Sequence, residues 1–202
     1  MRQAILYIKE NLPNVKIIAG NVATPEAVVD LHRWGADAVK VGIGQGSPCT
    51  TKNKTGFTMP MFSCVMNCGN QYEQSDSFIN TQNLNKIPII ADGGVQYNGD
   101  IAKALVAGAS FVMAGGIFAS CADSPAASIE VDGILQKVYY GSASFENKKI
   151  HKNIEGKLKK LSPNGMTLEE KLREIQEDLQ SAISYAGGKD LSVFNKTTYS
   201  II

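Results

Sequence analysis

The sequence predicts an α/β fold in which a parallel sheet is covered by helices, and three observations predict it. Four short β-branched or apolar runs begin near Val15, Ala38, Ile87 and Ser110, and each ends in Gly, Asn or Asp. They alternate with helix-start signals and amphipathic stretches, as strands buried on both faces and helices buried on one require. Two glycine pairs, Gly93-Gly94 and Gly115-Gly116, fall at the C-terminal ends of consecutive runs. A parallel barrel and a doubly wound sheet both bind ligand at such strand ends.

Composition bounds the class. The chain has 202 residues, 44% hydrophobic and 19% charged, enough for one domain with a sizeable core. Its 20 Lys and Arg against 19 Asp and Glu leave a net charge of +1. So balanced a chain offers no field for nucleic acid or an anionic membrane, while a small anionic ligand stays open. No run reaches the roughly 18 apolar residues of a membrane span, and the start Met1-Arg2-Gln3-Ala4-Ile5 is not that of a leader, so a cytoplasmic location is expected.

In the first run, Val15 to Asn21 reads as a strand, Thr24-Pro25-Glu26 supplies an N-cap with proline at the first helical position, and Gly35 ends that helix. The second, Ala38 to Ile43, enters Gly44-Gln45-Gly46-Ser47-Pro48-Cys49-Thr50-Thr51, a loop too rich in glycine and small polar residues for helix. The third, Ile87 to Ala91, ends at Asp92-Gly93-Gly94, and a helix is expected from Asp100 to Ala107 before Gly108. The fourth, Ser110 to Ala114, ends at Gly115-Gly116.

Beyond it the pattern changes. Ile129 to Tyr140 reads as two short strands around Asp132-Gly133, a hairpin. Residues 147–160, basic and polar, are expected to form a mobile flap. Thr167-x-x-Glu170 is a capping box, and Leu168, Leu172, Ile175, Leu179 and Ile183 recur at helical spacing, so a helix docks on the sheet there. Residues 69–86, rich in Asn, Gln and Ser, read as an inserted polar surface loop.

The four cysteines, Cys49, Cys64, Cys68 and Cys121, are expected to be reduced. Cys64 and Cys68 have a spacing found in zinc sites but no second ligand pair nearby, and they read as small buried side chains on one helix face. Cys49 differs, because its loop and both glycine pairs share one rim of a parallel sheet. Loop amides there make an anion cradle, Asp92 can accept from sugar hydroxyls, and Cys49 among hydroxyl side chains is a candidate nucleophile. Taken singly, each has an ordinary reading: glycines as turn devices, Asp92 as a cap, Cys49 as an inert small hydrophobe.

Taken together these residues resemble a known family. Ile43 to Thr51 looks like the cysteine loop of the IMP dehydrogenase and GMP reductase superfamily, and Ile90 to Gly94 with Val112 to Gly116 resembles its nucleotide-binding strand ends. Tyr140-Gly141-Ser142-Ala143-Ser144, Asn153-Ile154-Glu155-Gly156-Lys157 and Asp178 to Gly188 are similar to the bacterial-type GMP reductase branch. The Arg-Tyr pair of an IMP dehydrogenase flap and a CBS insert are not visible. The resemblance implies the C-terminal half of a (β/α)8 TIM barrel with a flap hairpin and a C-terminal helix, residues 1–202 forming one partial domain with strands about 5 to 8.

It further implies NADPH-dependent reductive deamination of GMP to IMP and ammonia. Cys49 is then the nucleophile that forms a thioimidate, with Thr51 and Glu155 handling protons. Ser47, Asp92, Gly93, Gly94, Gly115, Gly116, Tyr140, Gly141, Ser142 and Gly156 are implied to hold the nucleotide, with Asp92 on the ribose. Ile43, Gly44, Ser184 and Tyr185 are implied to approach the cofactor, and the carbonyls of Gly44, Gly46 and Cys49 to meet a monovalent cation such as K+. A homo-oligomer, a tetramer in the family, or a polypeptide supplying the other half barrel is the implied partner. An IMP dehydrogenase and an inactive nucleotide-binding or interface fragment are the alternatives. Three features depart from the family pattern: Gln45 where proline is frequent, with Pro48 just before the nucleophile; Ser144-Phe145-Glu146 where relatives often have Ser-Glu-aromatic; and a match to only half a barrel.

Overall fold

The computed structural model describes residues 1–69 and 85–200. Of the expected polar insertion at 69–86, all but its ends lies outside the described residues.

Four strands, β1 (Ile18–Val22), β2 (Ala38–Val41), β3 (Ile89–Asp92) and β4 (Phe111–Met113), form one parallel sheet in the order β1-β2-β3-β4. Each pairs with the next in sequence, whereas a doubly wound sheet reverses its strand order at a switch point. The arrangement is that of consecutive βα units of a barrel. Helix α1 (Arg2–Asn11) precedes β1, α2 (Pro25–Arg33) joins β1 to β2, and α3 (Thr51–Thr55) and α4 (Met61–Gly69) follow β2. Helix α5 (Asn98–Val106) joins β3 to β4, and the short α6 (Gly116–Ala119) follows β4. The first strand starts three residues later than expected, at Ile18, and α5 two residues earlier, at Asn98.

Helix α2 starts as its sequence dictates. Thr24 Oγ1 accepts from the Ala27 amide at 3.4 Å, with Pro25 inside the first turn. Its Val28, Val29 and Leu31 are buried, and Val28 and Leu31 join the main core with Val39, Val41, Ile89 and Ala91 from the sheet. Cys64 and Cys68 lie in the same core, on one side of α4. Register explains the division of faces. Ala19, Val39 and Ile89 are paired neighbours under the helices, while Lys40, Ile90 and Phe111 line up on the opposite, inner face. That inner face is open at its edge strands, where Ile18 and Phe111 are each 60% exposed, while Ile90 between them is buried. Four parallel strands cannot close on themselves, so side chains of the outer strands that would fill a barrel's interior meet solvent here.

A second, antiparallel sheet lies beyond α6. Strands β5 (Ser128–Val131) and β6 (Ile134–Tyr140) form the expected hairpin, with Asp132 and Gly133 both at positive φ in the turn. The segment expected as a flap is not loop throughout. It opens with a helical turn, α7 (Phe145–Lys148), and its end forms β7 (Leu158–Leu161), antiparallel to β6. Leu158 and Leu161 are spaced too far apart and too closely flanked by lysines for sequence alternation to mark a strand. Helix α8 (Leu168–Tyr185) opens on the expected capping box, in which Thr167 and Glu170 bond each other's backbone amides at 3.3 and 2.7 Å. It docks on α5, where Asn98 Nδ2 donates to Glu174 Oε2 at 3.1 Å and Asp178 Oδ2 at 2.6 Å. A 3-10 turn, Leu191–Lys196, buries Phe194 against the same helix pair. No helix among the described residues is long and apolar enough to cross a membrane.

The start of the sheet is pinned by one carboxylate. Asp37 accepts from Lys9 Nζ at 2.6 Å, the Ile17 amide at 2.8 Å and Lys16 Nζ at 3.2 Å, tying α1 to the entries of β1 and β2. The Lys9 ammonium first, then the Ile17 amide, hold its carboxyl well below the usual carboxylate range. A depressed folded value contributes stability above the unfolded pKa of about 4, and that contribution is lost as pH falls below it. We therefore expect Asp37→Asn to lower the denaturation midpoint at neutral pH and to converge with the wild type in acid. A constant offset between the two across the acid range would contradict this assignment.

Candidate active site

The cysteine loop leaves β2 and folds back over the rim of the parallel sheet. Residues 154–157 run alongside it in antiparallel pairing: the Thr50 amide donates to the Glu155 carbonyl at 2.8 Å and the Lys157 amide to the Pro48 carbonyl at 2.9 Å, making a bridge between Cys49 and Gly156. Lys54 Nζ adds a bond to the Ile154 carbonyl at 2.6 Å, and the Glu155 amide donates to Ala143 at 3.1 Å. Gly156 is required by close approach, since a Cβ there would stand 2.8 Å from the Ser144 nitrogen.

This clamp puts three side chains in series. Cys49 Sγ donates to Thr51 Oγ1 at 3.2 Å, and Thr51 Oγ1 donates to Glu155 Oε2 at 2.6 Å. The directions are fixed by chemistry. An ionised carboxylate only accepts, so the single hydroxyl hydrogen of Thr51 goes to Glu155, and its oxygen is left to accept from the thiol. The arrangement is a two-step path for a proton between sulfur and carboxylate.

A cavity of about 490 Å³ opens over this chain. Of the residues picked from sequence, Ile43, Gly44, Gly46, Cys49 and Thr51 line it from the loop, and Asp92, Gly93, Gly141, Ser142 and Glu155 complete it. Asp92 sits at the end of β3, where its Oδ2 accepts from Lys40 Nζ at 2.7 Å and Asn21 Nδ2 at 2.9 Å. An adjacent cavity of about 220 Å³ is lined by Ser47 and Gly116. Gly94 lines a third, smaller space against Met61. Gly115 lies under the Tyr139 ring, and a Cβ on it would overlap that hydroxyl. Burial first, then the charge of Asp92, push the Tyr139 phenol up, so it stays a neutral donor.

Tyr140 is placed elsewhere. It lines an apolar cavity of about 530 Å³ with Phe118, Val138 and Leu168. Ser184 and Tyr185 end α8, where Tyr185 is 95% exposed, and neither lines the cavity over Cys49. The Gly46 carbonyl, picked for a cation, accepts the Cys49 amide within the loop at 2.8 Å. Sequence reasoning missed Asn21, Lys40 and Tyr139, all of which line the site. Lys40 carried a signal, a charge inside an otherwise apolar strand, because such a group is rarely buried without a partner. Tyr139 and Tyr140 are adjacent, and only the phase of β6 decides which of them faces the rim. Two departures now have structural counterparts. Pro48 supplies the carbonyl that Lys157 bonds, and Phe145 stacks on His151, ring centroids 4.0 Å apart, closing the turn before Glu155.

A half barrel of parallel βα units, with a cysteine hydrogen-bonded through a threonine to a carboxylate and glycine-ended strands at one rim, places the chain among parallel-barrel proteins with a cysteine at the strand ends. The family itself follows from comparison with known proteins. Residues 1–201 match the IMP dehydrogenase / GMP reductase domain, and the chain belongs to that family. It is 48% identical over 202 residues to a GMP reductase of Leptothrix cholodnii, covering 100% of this chain and 58% of that protein. Against a GMP reductase of Albidiferax ferrireducens the identity is 49% over 201 residues, 98% of this chain and 58% of the relative. One from Lactobacillus johnsonii is 48% identical over 198 residues, 98% of this chain and 56% of the relative. The chain thus spans a little under three fifths of the length of these curated relatives.

The clamp makes a prediction. Gly156→Ala should force the flap backbone away from Ser144 and break both bridge bonds. The amides of Thr50 and Lys157 should then exchange with solvent about tenfold faster or more, the equivalent of about 1.4 kcal/mol. Exchange at Val39 and Ile90 should be unchanged. Unaltered exchange at Thr50 and Lys157 would contradict the clamp.

Proposed function

We propose that the protein, with the remaining strands of its barrel in place, catalyses the NADPH-dependent reductive deamination of GMP to IMP and ammonia. The observation that carries this reading is the hydrogen-bonded series Cys49, Thr51, Glu155. Replacement of a ring amino group needs a nucleophile at carbon and a proton for the departing nitrogen, and the series offers both. The identities to GMP reductases over nearly the whole chain support it.

In this reading Cys49 Sγ bonds to C2 of the guanine ring. The thiol proton passes through Thr51 to Glu155 and is delivered from Glu155, by way of Thr51, to the amino nitrogen. The C2–N bond breaks and ammonia leaves, giving a thioimidate between Cys49 and the purine. Atoms balance, since the one thiol hydrogen becomes the third hydrogen of ammonia. When bound, NADPH supplies the hydride that reaches C2 and releases the thiolate. Ile43 and Gly44, which line the same cavity as Cys49, fit a nicotinamide beside the purine. The rest of a dinucleotide would have to run toward Ser184 and Tyr185 at the end of α8. The carbonyls of Gly44, Gly46 and Cys49 are the groups a monovalent cation would meet.

Asp92 binds the ribose. Lys40 and Asn21 both bond its Oδ2, which orients the carboxylate while the other oxygen accepts from sugar hydroxyls. Ser47, the two glycine pairs, Gly141 and Ser142 surround the phosphate, and the Tyr139 hydroxyl donates to it. The exposed inner face carrying Ile18 and Phe111 is covered by the remaining barrel strands, and the assembled enzyme is a homo-oligomer.

The test is turnover by the full-length protein, followed as loss of NADPH absorbance with stoichiometric ammonia when GMP is added. Cys49→Ala should abolish it, and Glu155→Gln should lower it by about 10² to 10⁴-fold, the usual worth of a positioned proton-transfer group. Undiminished ammonia release by Cys49→Ala would overturn the reading, as would NAD reduction with IMP in place of GMP consumption.

A further inference from the structure

We propose that Lys159, on β7, is a phosphate-recognising residue of this site, its ammonium paired with the Ser47 hydroxyl to receive the phosphate monoester of the nucleotide. The inference deepens the function proposed above and rests on it for the identity of the ligand.

The register of the antiparallel sheet carries the argument. Lys159 lies opposite Tyr139, and Leu161 opposite Lys137. Side chains alternate along a strand, so these four share one face. That face is turned to the rim. Tyr139 lies over Gly115, and Leu161 lines the cavity that holds Ser47 and Gly116. Lys137 is only 5% exposed, its ammonium donating to the carbonyls of Ala122, Ser124 and Ala126 at 3.1, 3.3 and 3.4 Å. It fixes β6 to the loop after α6 and is committed there. Lys159 Nζ, by contrast, reaches across to Ser47 Oγ at 2.9 Å. The hydroxyl oxygen accepts from the ammonium, which leaves the hydroxyl hydrogen to donate to an anion.

Charge supplies the reason for such a group. Two carboxylates, Asp92 and Glu155, line the nucleotide cavity. Lys40 offsets the first, at 2.7 Å, and Lys54 is engaged with the Ile154 carbonyl. A phosphate dianion entering beside two carboxylates needs a further cation, and Lys159 bonds Ser47, which lines the second cavity and whose chain neighbours Gly46 and Pro48 line the first. Ammonium, hydroxyl and the protonated phenol of Tyr139 together make a set of donors suited to phosphate oxygens.

The experiment is calorimetric titration of the full-length protein with GMP, guanosine and inorganic phosphate, comparing wild type with Lys159→Gln and Lys159→Arg. We expect Lys159→Gln to weaken GMP about tenfold, as loss of a charged hydrogen bond does, and to leave guanosine unchanged. Lys159→Arg should stay within about threefold of wild type for GMP, because the charge is kept. Equal GMP affinity in wild type and Lys159→Gln would overturn the role of Lys159 while leaving the proposed function intact, and an equal loss for guanosine would make the residue structural only. If the wild type bound neither GMP nor guanosine, yet bound inorganic phosphate with a Kd that Lys159→Gln raised about tenfold, the phosphate role would stand and the proposed function would fall. Binding of none of the three would overturn both.

Discussion

The backbone pairing of the flap with the cysteine loop is the constraint on which the site depends. Cys49 and Thr51 are brought by the second βα unit, and Glu155 comes from a segment about a hundred residues later that leads into the antiparallel sheet at β7. Two backbone hydrogen bonds, from the Thr50 amide to the Glu155 carbonyl and from the Lys157 amide to the Pro48 carbonyl, hold the segments in register, and Gly156 is small enough to let them touch. Without that pairing Glu155 is a surface carboxylate and Thr51 the first residue of a short helix. With it, the three side chains form one hydrogen-bonded series. The arrangement of the three side chains is thus set by main-chain pairing.

The same logic extends to the antiparallel sheet. β7 continues directly from the clamp, so the pairing of β7 with β6 and the pairing of the flap with the cysteine loop are one continuous strip of backbone. Lys137 anchors that strip through a cage of carbonyls, and its neighbours on the same face, Tyr139 and Lys159, then fall over Gly115 and Ser47. Beneath it the parallel sheet offers Asp92 already oriented by Lys40 and Asn21. Each half of the site is therefore fixed by a different sheet, and the cavity over Cys49 is lined from both.

Much of the fold was legible in the sequence. Strand and helix periodicity, the Thr24 cap and the Thr167 capping box are local signals, and local signals survive folding. The cysteine loop and glycine-ended strands were legible for the same reason, and family resemblance supplied the pairing of Thr51 with Glu155. Three things escaped. Strand β7 is short and lysine-rich, and only its partner β6 makes it a strand. Lys40 and Asn21 act on Asp92 through register between strands, which no local window contains. Tyr139 rather than Tyr140 lies over Gly115 because of the phase of β6, which neighbouring tyrosines cannot reveal. Each of these was decided by pairing across the sheets.

The most direct test of the central claim is a double-mutant cycle on turnover by the full-length protein, using Thr51→Val, Glu155→Gln and the two combined. If Cys49, Thr51 and Glu155 form a single proton path, either substitution breaks it. The double variant should then be about as slow as the slower single one, a strongly non-additive result. Multiplying effects, with the double variant slowed by the product of the two, would show that Thr51 and Glu155 act independently and would contradict the account.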